Sequence, residues 1–201
     1  MTDRLTKTIR FMPRTEEQYN EIRENKRTII MDAALELFAT NGYHSTTISQ
    51  IAQKAGISKG LLYNYFESKE QVLYDVIADG SKSFIEAFDP NKDGILTDEE
   101  FVFYVHEVFR IVEQNMDYWK LYLTVVLQKS VLEIASERAM QMKAPLVETM
   151  VKYYERKGVT NPKAYTWLFA SSINGLIYNY VIAPSLFPKK ELIELFIEKF
   201  G

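Results

Sequence analysis

"TTISQIAQKAGISKGLLYNYFESKE", residues 46–70, places two short helix-forming stretches around the tight turn Ala55-Gly56-Ile57-Ser58. Thr46 stands before the first stretch and Ser58 before the second, where a hydroxyl can cap a helix, and Gly56 stops the first. Ile48, Ile51 and Ala52, with Leu61 and Leu62, can pack together and onto an upstream face carrying Leu37 and Phe38. This is helix-turn-helix spacing. Ser58, Lys59, Gly60, Tyr63 and Asn64 are then left facing outward. A second helix that enters a major groove needs small residues at its start, and Gly60 supplies one at some cost in helix propensity. Tyr63, Tyr65 and Lys69 offer donors to phosphates, as do Thr46 and Thr47 from the start of the first helix. Phe66, and part of Tyr65, read as core.

Upstream, Thr15 and Gln18 have capping-box spacing just after Pro13, and Asn41-Gly42 ends the helix they begin. Ile29, Ile30, Ala33, Ala34, Leu37 and Phe38 form its apolar stripe. The whole run "AALELFATNGYHSTTISQIAQKAGISKGLLYNYFESKEQVL", residues 33–73, resembles the N-terminal domain of the TetR family of transcriptional repressors. The likeness covers about residues 27–73. It implies a homodimer on a palindromic double-stranded DNA operator, released by a small-molecule effector. By position it puts Thr47, Ser58, Lys59, Gly60, Tyr63, Asn64, Tyr65 and Lys69 at the DNA. The stretch before residue 27 and residues 89–100 depart from the family pattern.

Composition is compatible with this. The chain has 201 residues, 47% hydrophobic and 25% charged, enough to bury a core as one large domain or two small ones. Net charge is −3, but residues 1–70 carry ten Lys/Arg against nine Asp/Glu while residues 71–201 carry fourteen against eighteen. The asymmetry favours an N-terminal nucleic-acid module. Cysteine is absent, so disulfides and thiolate metal sites are excluded and a reducing cytoplasm is expected. No signal-peptide core and no apolar run of the ~20 residues that span a bilayer occurs, so no membrane role is expected. No catalytic triad, metal-hydrolase motif or phosphate loop appears, and His44 and His106 form no metal motif; the chain does not read as an enzyme.

Helical periodicity runs throughout. The expectation is an all-α protein: an extension at 1–26 with a basic arm (Arg4, Lys7, Arg10, Arg14), a three-helix helix-turn-helix domain at 27–73, and a helical ligand-binding and dimerisation domain at 74–201. Ser68 starts a helix that joins the two. Further helices are expected near 98–115, 117–134, 136–157, 162–182 and 188–199, with Pro145 kinking or splitting the third of these.

"DPNKDGILTDEE", residues 89–100, matches the twelve-residue loop D-x-[DN]-x-[DN]-G-x5-E and resembles an EF-hand. In that reading Asp89, Asn91, Asp93, Thr97 and Glu100 offer side-chain oxygens and Ile95 its carbonyl, a hard-oxygen set suited to Ca²⁺. The other reading is a polar turn, with Thr97 and Glu100 as the capping box of the next helix. A loop that binds calcium opens a second functional class, a calcium-responsive signalling or adaptor protein. Its counterweight is the absence of a second such loop.

Aromatic residues are abundant, with thirteen Tyr, twelve Phe and two Trp. Met116, Trp119 and Tyr122, with Trp167, Asn174 and Tyr178, are the candidates for an effector pocket that takes a small lipophilic or aromatic ligand. Ordinary core is the competing role for each. The last two helices are the expected dimer interface, through Ala170, Ser171, Asn174 and Gly175 and through Leu192, Leu195, Phe196 and Phe200.

Overall fold

The computed structural model describes residues 15–201, so the basic arm at 1–14 lies outside the described residues. Among the described residues there are nine helices and no strand: α1 Glu16–Asn41, α2 Ile48–Lys54, α3 Lys59–Tyr63, α4 Lys69–Phe88, α5 Asp98–Gln114, α6 Met116–Val126, α7 Lys129–Arg156, α8 Pro162–Ile182 and α9 Lys189–Phe200. The fold is all-α, as the periodicity requires. Local signals set most boundaries. Capping boxes start α1 (Thr15, Gln18), α2 (Thr47, Gln50) and α5 (Thr97, Glu100), and Ser58, Ser68 and Asn161 cap α3, α4 and α8.

Two buried clusters stack along the molecule. The upper one joins Ile30, Phe38, Ile51, Leu62 and Phe66 of the first three helices and their loops to Val72 and Val76 on α4. Val125, Val131 and Ala135 from α6 and α7 complete it, so the head rests on the body through shared core. The lower cluster is aromatic, with Phe101, Phe109, Tyr153, Tyr154 and Phe169 among its members. α4, roughly 30 Å long for its 20 residues, passes through both and crosses the boundary expected at 73/74.

Three features differ from the sequence reading. Thr47, not Thr46, caps α2, because Thr46 is fully buried with its hydroxyl against the Leu37 and Gly42 carbonyls at 3.1 and 2.9 Å. The break expected near residue 135 falls at Leu127-Gln128. Gln128 precedes α7 without capping it, because its side chain reaches the end of α1. There Nε2 donates to Phe38 O at 2.8 Å and Oε1 accepts from Tyr43 N at 3.0 Å. Finally, the split offered as one outcome at Pro145 does not occur: α7 continues as one helix through this exposed residue. Buried or half-buried Val131, Ala135, Leu146 and Met150 on both sides of the proline hold the two halves on one packed face.

Candidate functional site

The outward face of the helix pair is built by its caps. Ser58 Oγ accepts from Leu61 N at 3.1 Å, and Thr47 Oγ accepts from Gln50 N at 3.3 Å while donating to Gln50 Oε1 at 2.9 Å. Leu62 is buried beneath α3, which leaves Ser58, Lys59, Gly60, Tyr63 and Asn64 exposed on one side. Nothing lies within 4 Å of where a Gly60 side chain would begin, so that surface is open to an approaching backbone. Tyr65 is half-buried and its carbonyl accepts from Arg27 Nη1 at 2.9 Å. Arg27 also pairs with Asp75 on α4. Lys69 donates to the carbonyls of Tyr43 and Thr46, both at 2.8 Å, and of His44 at 3.3 Å, with its ammonium over the Tyr43 ring. Loss of hydration lowers its pKa, with Glu70 opposing. All three of its donors are engaged, so Lys69 fixes the 43–46 turn.

Below the head, α4, α6, α7 and α8 enclose a cavity of about 800 Å³, inside the range that holds drug-sized ligands. Its inner wall is aromatic and apolar: Phe84, Phe88, Trp119, Met150 and Phe169 line it. Trp119 is held by its indole N–H, which donates to Ile111 O at 3.2 Å. Tyr122 donates to Ile77 O at 3.3 Å and lies flat on α4 at Gly80, where an added Cβ would sit 2.2 Å from the ring. Four of the six pocket candidates line the cavity: Trp119, Tyr122, Asn174 and Tyr178. Met116 packs on the lower core instead, and Trp167 stands 50% exposed on the outer side of α8. The sequence signals neither Phe84 nor Lys143 as lining residues, because each belongs to an amphipathic helix whose neighbours it does not name.

Residues 30–76 match the tetR family of bacterial regulatory proteins. Over 57 residues the chain is 44% identical to the fatty acid metabolism regulator protein of Bacillus subtilis (strain 168), a match spanning 28% of this chain and 29% of that protein. The tetR-type head is carried on a body of known fold. The fatty acid degradation regulator FadR from Bacillus halodurans superimposes with a TM-score of 0.66 at 21% identity, covering 87% of this chain and 94% of that one. FadR from Bacillus subtilis, in complex with stearoyl-CoA, does so with a TM-score of 0.67 at 20% identity, over 86% and 96%. These two likenesses are of fold.

Beyond the tetR-type head, α4 ends in the 89–100 loop. Lys92 and Gly94 have positive φ, 60° and 74°, which turns the loop sharply. Asp89 Oδ2 accepts from Gly94 N at 2.9 Å and Asp93 Oδ1 from Ile95 N at 2.8 Å. Glu100 caps Thr97, accepting from its N–H at 2.9 Å, so the capping-box function is present. The Asn91 amide donates to both Glu100 Oε1 and Asp93 Oδ2, at 2.9 and 3.2 Å, and so separates two like charges. Among the described residues no three acidic or histidine side chains converge closely enough to hold a metal. One atom is left over: Asp89 Oδ1 is buried with no hydrogen-bond partner. The loop is fastened to the body, since Leu96 is buried and its carbonyl accepts from Arg156 at 2.6 Å, while Asp98 pairs with Lys157 at 2.9 Å.

At the far side, α8 exposes Trp167, Ser171, Tyr178 and Ile182 along one face, with Leu186 beyond and Leu195 on α9. Gly175 lies among them with open space at its Cα. Phe196 and Phe200, expected in the dimer stripe, turn inward onto Phe169. Among the described residues no helix is long and apolar enough to cross a membrane.

Proposed function

We propose that this protein is a DNA-binding transcriptional regulator, a repressor that holds a palindromic operator as a dimer and is released by a small lipophilic ligand. It works in the cytoplasm, and not as an enzyme. The observation that carries the reading is α4: it begins at the tetR-type head and forms a wall of the cavity further along. A ligand that moves α4 alters the spacing of two α3 helices, which must fit half-sites about one turn, ~34 Å, apart or a multiple of it. That FadR from Bacillus subtilis holds stearoyl-CoA supports a lipophilic ligand. The exposed apolar face of α8, with Leu195, is where the second copy docks.

The test is selection of genomic fragments by the purified protein at a stated salt concentration. A small set of fragments is expected to be retained by a dimer. Lys59→Ala should weaken binding and reduce the salt dependence by about one ion per protomer, two for the dimer. Retention of every fragment equally, by a monomer, contradicts the proposal.

The orphaned Asp89 Oδ1 favours a second reading, calcium at the 89–100 loop. The donor set fits: Asp89, Asn91, Asp93, Thr97 and Glu100 would hold the ion with the Ile95 carbonyl, once the Asn91 amide presents its oxygen. A cation there would neutralise the carboxylates that Asn91 now keeps apart. The role proposed is a staple between α4 and α5, because regulation requires a different affinity in the two states. Calcium should raise the unfolding temperature of the parent protein and not of Glu100→Gln, leaving operator affinity unchanged. Calcium-dependent capture of a protein partner without operator binding would instead mark an adaptor.

A further inference from the structure

Among the described residues the cavity wall contains no acidic side chain and one basic one, Lys143 on α7. None of the ion pairs among the described residues includes it. Lys143 is exposed at the mouth of the cavity, where the apolar wall beside it lowers its pKa through partial loss of hydration. The cavity is also graded. Phe88, Trp119, Met150 and Phe169 line it as buried residues, with Ser81 and Thr166 the buried hydroxyls among them, whereas Ser136 and Lys143 are exposed at its rim beside Leu127 and Leu132.

A lysine can line a cavity merely by laying its stem along apolar surface and keeping its head in water. That explains the stem. It does not use the placement: among the described residues the one charge lining the cavity stands at its mouth above an apolar floor, and no carboxylate pairs with it. A ligand that brings one negative charge supplies the missing partner.

We propose that the cavity takes a monoanionic amphiphile, with a carboxylate head on Lys143 at the rim and an apolar chain running in towards Trp119 and Phe88. The proposal rests on the cavity being the effector site and adds the chemical class of the effector. One lysine matches one charge. A nucleotide-bearing thioester would instead bring several phosphates to a rim with a single cation, so the free acid is the ligand rather than its thioester.

Calorimetric titration of the full-length protein with dodecanoate, 1-dodecanol and dodecanoyl-CoA tests this directly. Dodecanoate is expected to bind up to about fivefold more tightly than the alcohol, the size of effect that a part-exposed charge pair produces. Shortening the acid should weaken binding by about fourfold per methylene. Lys143→Met, which removes no hydrogen bond or ion pair, should erase the preference for the acid; Lys143→Arg should keep it. Equal affinity for acid and alcohol, tighter binding of the thioester, an unaltered preference in Lys143→Met, or no binding of any of the three overturns the proposal. Acid binding that leaves operator affinity unchanged would remove the regulatory reading and keep the head-group assignment. Operator release by the alcohol as readily as by the acid would do the reverse.

Discussion

Gln128→Ala is expected to destabilise the protein by about 2–3 kcal/mol, and the structure divides that cost between two bonds. Phe38 O keeps a second donor when the glutamine is lost, because Gly42 N–H reaches it at 3.1 Å. Tyr43 N–H has no such reserve: Gln128 Oε1 is its acceptor among the described residues, and Tyr43 is 4% exposed. A buried donor left without a partner costs about 1–3 kcal/mol, and the redundant bond adds about 1 kcal/mol or less. With a urea slope of about 3 kcal/mol/M, the midpoint should fall by ~0.8 M at fixed protein concentration. Gln128→Glu keeps an acceptor for Tyr43 N–H but turns a carboxylate oxygen towards Phe38 O in place of the donor, so it should cost at least about 1 kcal/mol while leaving Tyr43 N–H paired. Urea unfolding followed by circular dichroism gives the ranking. Native-state hydrogen exchange at the Tyr43 amide gives the cause, with protection lost in Gln128→Ala and retained in Gln128→Glu. Equal midpoints for Gln128→Ala and the parent, with Tyr43 still protected, would refute this division of the energy.

Gly80→Ala should cost about 1–3 kcal/mol by overpacking, because its Cβ would meet Tyr122 at 2.2 Å. In a Tyr122→Ala background the same change should become neutral or stabilising, and simple additivity in urea midpoints would contradict the contact. Hydrogen bonds from Lys189 and then Tyr180 hold the Glu113 carboxyl below its ordinary pKa. A depressed carboxylate contributes its stability above the unfolded pKa and loses it as pH falls through the folded one. The stability gap between the parent and Glu113→Gln should therefore be full at pH 7 and shrink as pH falls below the ordinary carboxylate range, modestly, since the pair is part-exposed. A gap that widens towards acid would reverse the assignment. Arg27→Met should loosen the hold of α1 on α4 and on Tyr65, seen as earlier exchange of the α1 amides, while leaving the core of α2 and α3 packed.

The helix pair is legible because its information is local: Gly56 and Ser58 sit where the turn needs them, and Ser68 where the next helix needs a cap. The choice between Thr46 and Thr47 is not, because it depends on the Leu37 carbonyl nine residues upstream. Likewise, the break before α7 carries no Gly or Pro, and Gln128 becomes a boundary only through contacts 85 and 90 residues away. The aromatic content pointed to a cavity without saying which residues face it. α8 is apolar on all sides, so nothing in its pattern separates outward Trp167 from inward Phe169. Lys143 was invisible for the opposite reason, as one charge among many on a long helix.

The meeting of α4 with α6 at Gly80 has a mechanical consequence. Helices that interlock ridge into groove move past one another in jumps of a turn, since each knob must leave its socket. Here Gly80 alone presents no side chain to the Tyr122 ring, and the register at this point is kept by the Tyr122 hydroxyl on Ile77 O. A shift of α4 along α6 must therefore break that one polar tie before it meets any steric stop at Gly80, so the tie decides whether the helix stays seated.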